Sequence, residues 1–86
     1  MTTRVSLAEM APGQGGTVVA IQAGFGLTNR LDAMGIRSGV KLVKTSGSLF
    51  GGAIAVRAGN VHLALGHGMA VKILVELESS PREDRP

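Results

Sequence analysis

The chain has 86 residues, a formal net charge of +3, thirteen glycines, two aromatic residues and no cysteine. This length holds one domain with a small core. The absence of cysteine excludes disulfides, thiolate metal sites and cysteine nucleophiles, and it fits a reducing cytosol. The charge is mildly basic, which suits an acidic partner but does not call for nucleic acid.

Taken in order, Val5 to Met10 reads as a helical turn, with Ser6 and Glu9 spaced as a capping box. Pro12-Gly13 ends it as a turn. Gly16 to Ala23 is rich in β-branched residues and reads as a strand. Leu27 to Gly39 is the organising stretch. Leu27, Leu31 and Met34 recur at i, i+4 and i+7 on one helix face, with Thr28, Asn29, Arg30 and Asp32 mostly on the other. Gly35 stops the helix in the left-handed conformation, and Ile36 is placed to fold back onto Leu31. Ser38-Gly39 turns the chain into a strand from Val40 to Thr45. Ser46 to Gly52 reads as a loop of small residues carrying Leu49 and Phe50. Ala53 to Ala58 and Val61 to Leu65 are strands joined at Gly59-Asn60, a hairpin signal. Gly66-His67-Gly68 is a turn, and Met69 to Leu77 reads as the longest strand. Residues 79–86 read as a polar, disordered tail.

Five short strands in so small a domain curl into a barrel to bury one face each, with the helix closing an end. The expected fold is therefore mainly β: a barrel of about five strands with one short inserted helix, spanning residues 1–78. No apolar run reaches the roughly 18 residues that span a bilayer, and no signal peptide is visible. The expectation is a cytoplasmic protein without membrane insertion.

The segment from Gly24 to Asn29 imitates a dinucleotide fingerprint but has Asn29 for the third glycine. No acidic residue follows near Thr45. The two glycines serve the strand-to-helix turn. Gly47 to Gly52 lacks the lysine and hydroxyl residue of a phosphate loop. No Ser/His/Asp set or carboxylate pair can be assembled, so no enzyme is expected.

His62 and His67 are the only imidazoles. They are the candidate metal ligands, for weak Fe(II) or Zn(II) binding with open coordination, and the sequence sets no carboxylate beside them. Their ordinary alternative is as solvated surface residues. No cofactor is required. Leu49 and Phe50 are candidates for a partner contact, because apolar side chains at a loop tip mark contact sites; the alternative is that Phe50 covers an open barrel end. Arg30 and Arg37 are candidates for a basic rim.

In order and spacing these features resemble the FeoA family. The matching pieces are Leu7-x-x-Met10-x-Pro12-Gly13, the strand with Val18, Val19 and Ile21, and Leu31-x-x-Met34-Gly35-Ile36-x-x-Gly39. Then come Leu49-Phe50-Gly51-Gly52, the Gly59 hairpin, Leu63-Ala64-Leu65 and a last strand after Met69-Ala70. The resemblance runs from about Ser6 to Leu77. It implies an SH3-like β-barrel and a role assisting FeoB, the ferrous-iron transporter with a cytosolic GTPase domain, by binding it. FeoA-like domains also end the iron-responsive DtxR-type repressors, and the family is associated with transition-metal binding. The alternative reading is therefore a metal-binding or metal-sensing module. The absence of a helix-turn-helix region favours the transport role. Two departures stand out: Gly52-Ala53 where an acidic residue and proline are common, and Gly66-His67-Gly68 in place of a more charged turn. A small nucleic-acid-binding barrel is the third reading, and two aromatics leave it little base stacking.

Overall fold

The computed structural model describes residues 3–49 and 53–78. The proposed tail, 79–86, lies outside the described residues, as does Phe50 with Gly51 and Gly52.

Six strands form one antiparallel sheet. They are β1 (Arg4–Ser6), β2 (Gly15–Ile21), β3 (Lys41–Leu49), β4 (Ala53–Ala58), β5 (Val61–Leu65) and β6 (Ile73–Leu77). The order across the sheet is β1-β6-β2-β3-β4-β5. Helix α1 (Phe25–Ala33) is inserted between β2 and β3, and a four-residue helix α2 (His67–Ala70) precedes β6. Inward positions alternate along the strands: Val18 in β2, Leu42 in β3, Ile54 and Val56 in β4, Leu65 in β5, and Ile73 and Val75 in β6. All join one core with Leu7, Leu31, Ile36 and Ala70. A single sheet that lines a single core this way must curl into a barrel.

Helix α1 buries Leu31 completely, and Leu27 and Met34 pack against the same core. Its end is the Schellman arrangement that the sequence predicts. The Ile36 N–H donates to the Leu31 carbonyl at 2.8 Å and the Gly35 N–H to the Asp32 carbonyl at 3.0 Å. Gly35 has φ 90°, a left-handed value that a side chain disfavours, and Ile36 is fully buried beside Leu31. The other two expected turn glycines, Gly39 and Gly59, have φ of 95° and 63°.

Four expectations are corrected. The sheet has six strands, not five, because Arg4–Ser6 pairs with β6 before the chain enters a 3-10 turn at Leu7–Glu9. The helical turn expected at Val5 to Met10 is thus half strand. The Glu9 side chain does accept from the Ser6 N–H, at 3.1 Å. Ser46 to Leu49 is strand rather than loop: it pairs with Ala55 and Ala53 through two register shifts. The bulges absorb extra residues, and pairing with β4 overrides the weak strand propensity of serine and glycine. Finally, the strand expected from Met69 begins at Ile73. Residues 67–70 coil instead, with the Met69 and Ala70 N–H groups both donating to the Gly66 carbonyl. That coil buries Ala70 and leaves Val71 exposed.

Candidate docking surface

The helix entry is fixed by Thr28, whose hydroxyl donates to the Ala23 carbonyl at 3.3 Å. The exit is fixed by Ser38, whose hydroxyl donates to the Val19 carbonyl at 2.9 Å, and by the Gly39 N–H on the Val18 carbonyl at 2.7 Å. These bonds hold Arg37 in the turn that leads into β3. Its guanidinium meets the Asp32 carboxylate at 2.9 Å in an exposed ion pair. Arg30 is exposed on the helix flank and has no carboxylate partner among the described residues. The two arginines therefore share the helix end of the barrel.

Leu49 closes β3 at its other end, opposite Ala53. Eight steps of strand separate it from Lys41, a path of about 26 Å at the usual rise per residue. The arginine pair and the Leu49 corner are thus set at opposite ends of β3, and the structure does not bring Arg30 and Arg37 together with Leu49. His62 lies on β5, exposed, with Arg57 as its cross-strand partner. His67 is the first residue of α2, also exposed. No group of three or more His, Cys, Asp or Glu stands together among the described residues. Two imidazoles alone would leave most of a metal's coordination to water.

Two residues escape the sequence reading. Phe25, first residue of α1, is 87% exposed. It lies opposite the Leu27, Leu31 and Met34 face, which would have shown on a helix drawn from residue 25. Lys44 is the reverse: it is 3% exposed, on the inward side of β3 between Leu42 and the bulge. Its ammonium donates to the carbonyls of Leu7 at 3.4 Å, Ala8 at 3.2 Å and Met10 at 2.5 Å. A buried cation with three donors is matched by three acceptors at the end of the 3-10 turn. This clasp ties the N-terminal segment to β3. A third feature is an exposed cation row: Arg57 pairs with His62 on one side and with Val43 on the other, and Lys41 follows two residues along. Lys41, Val43, Arg57, Gly59 and Glu78 line a shallow cleft there.

A curled antiparallel sheet of six short strands, one helix between the second and third, and a charged outer face define a small SH3-like β-barrel domain. Residues 5–77 match the family model for the FeoA domain. The chain belongs to the FeoA family. It is similar to the crystal structure of an iron uptake regulatory protein, FeoA, with 33% identity and a TM-score of 0.80 over 88% of this chain and 99% of that one. It is also similar to a zinc complex of FeoA from Stenotrophomonas maltophilia, described as a procaryotic SH3 domain protein (23% identity, TM-score 0.71, 83% and 88% covered). A manganese-dependent transcriptional repressor shares the fold at 24% identity and a TM-score of 0.82, over 91% of this chain and 44% of the repressor. No curated protein sequence matches the chain significantly. No helix among the described residues is long and apolar enough to cross a membrane.

Proposed function

We propose that this chain is a non-catalytic accessory protein of bacterial ferrous iron uptake, acting in the cytoplasm by docking on the cytosolic part of FeoB and promoting Fe(II) transport. The observation that carries this reading is family membership over residues 5–77, with a FeoA relative covered almost end to end. The surface is consistent with a contact role. It presents an isolated aromatic at Phe25 and cations at Arg30, Lys41, Arg57 and Lys72 that have no carboxylate partner among the described residues. Apolar anchors supply affinity and charges supply orientation. Because Arg30 and Arg37 stand far from Leu49 along β3, a partner that touches all of them must lie along the barrel rather than cap one end.

The test is titration of the purified full chain with the soluble GTPase region of FeoB, followed by backbone amide NMR. Saturable shifts confined to one face, with a dissociation constant below about 100 μM, support docking. An unshifted spectrum at high micromolar partner removes that region as the target.

A further inference from the structure

Strand β5 is a border of the sheet. Its one hydrogen-bonded neighbour is β4, and no other backbone bond among the described residues reaches it. The β4–β5 register runs without a shift from Ala58 opposite Val61 to Ile54 opposite Leu65. A two-residue hairpin makes its closing pair, Ala58 and Val61, hydrogen-bonded. By alternation, Arg57/His62 and Ala55/Ala64 are then the non-bonded pairs. The N–H and C=O groups of His62 and Ala64 therefore point away from β4, and both residues are exposed.

Open edges are normally blunted by lysine, proline, a bulge or shortness. The other border follows this rule: β1 has three residues and opens with Arg4, paired to Glu76. Strand β5 does not. Its sequence is Val-His-Leu-Ala-Leu, it has no bulge, and Val61 is 49% exposed. The edge runs to Leu65, next to the corner where Leu49 faces Ala53.

We propose that the open edge of β5 receives an extended segment of a partner protein by strand addition, and that this segment alternates acidic and apolar residues. The proposal rests on the docking reading above and assigns its surface. Partner residues opposite His62 and Ala64 would share the outer face with Arg57, which has no carboxylate partner among the described residues, and with Lys41 beyond it. Acidic side chains suit those positions. Partner residues opposite Val61, Leu63 and Leu65 fall on the core side, where apolar side chains would cover Val61 and the half-buried Leu63. A second copy of this chain fits less well, since pairing β5 with itself sets two Arg57-bearing faces side by side with no acid between them.

The experiment uses the full chain, amide NMR, and a synthetic end-blocked peptide of alternating Glu and Val as probe. The expected result is shifts and slowed hydrogen exchange at His62 and Ala64, with affinity at least tenfold weaker in Ala64→Pro. That substitution removes an N–H the β4 ladder does not use. Unchanged amide positions in β2 and β6 report that it folds, and Arg57→Glu, an exposed change, must weaken binding in the same direction. Peptide shifts centred elsewhere, equal affinity in both variants, or β5 shifts that follow protein concentration without peptide would overturn the proposal. The FeoB region supplies the second arm. Equal binding of FeoB to wild type and Ala64→Pro overturns β5 as the docking edge and leaves docking standing. Peptide binding at β5 with no response to FeoB overturns docking on that region and supports strand addition.

Discussion

Lys44 shows how one residue can organise a segment without any signal nearby. Its ammonium is buried and spends its donors on the carbonyls of Leu7, Ala8 and Met10. In Lys44→Met the stem still fills its space, but the carbonyls lose a charged donor. Hydrogen bonds to charged groups contribute about 1.5–3 kcal/mol, so the variant should lose about 3 kcal/mol of stability. For a domain of this size that lowers Tm by roughly 12–24 °C in a thermal melt. A loss within about 0.5 kcal/mol would show that water replaces the ammonium. Gly35→Ala tests the opposite kind of residue, one whose role is wholly local. A left-handed alanine costs about 1–2 kcal/mol, read as an earlier urea midpoint with unchanged slope. Gly35 was legible because the helix stop, the glycine and Ile36 sit within six residues. Lys44 was not, because its partners lie 34 to 37 residues away in the chain. A lysine in a strand reads as an outward residue by default.

At the scale of elements, what the sequence revealed followed what each element owes to its own residues. Helix α1 and the β4–β5 hairpin carry local instructions: the apolar i, i+4, i+7 set with its glycine, and Gly59-Asn60 between two apolar runs. Both were found. The second half of β3 carries none. Ser46, Gly47 and Ser48 enter the sheet because β4 returns alongside them, and β1 forms because β6, seventy residues later, offers an edge. Among the candidate site residues the same division holds. Arg30 on α1 and Arg37 just past the helix stop are close in the chain, while their separation from Leu49 depends on the length of β3. The contact between β2 and β6 was likewise hidden, and it sets a firm requirement on Gly16. A methyl group there would stand 2.5 Å from the Glu76 carbonyl oxygen and from the Val75 side chain. Gly16→Ala forces the two strands apart and should cost about 1–3 kcal/mol, the range for an overpacked site. In hydrogen exchange, the β6 amides should lose more protection than those of β4. Equal loss everywhere would mean that the strain spreads through the whole barrel.

For the molecule as a whole, the charge arrangement bears on how a partner would arrive. Asp32 is neutralised by Arg37 and Glu76 by Arg4, while Arg30, Lys41, Arg57 and Lys72 are exposed without carboxylate partners among the described residues. Among the described residues these four exposed cations outnumber the exposed unpaired acids Glu9 and Glu78, and three of the four lie along the barrel from α1 to β4. Exposed charges act over roughly one Debye length, about 10 Å at 0.1 M salt and 30 Å at 0.01 M. They steer encounter more than they hold the complex. If docking on FeoB uses this face, raising the salt from 20 to 300 mM should slow association by about threefold or more and change dissociation far less. Stopped-flow or surface-based kinetics would separate the two rates. Phe25→Ala provides the contrast, since an apolar anchor acts on dissociation and its loss should not alter the salt dependence. Stability should hardly move in that variant, because Phe25 is 87% exposed. Association rates indifferent to salt would mean that the exposed cations lie away from the contact.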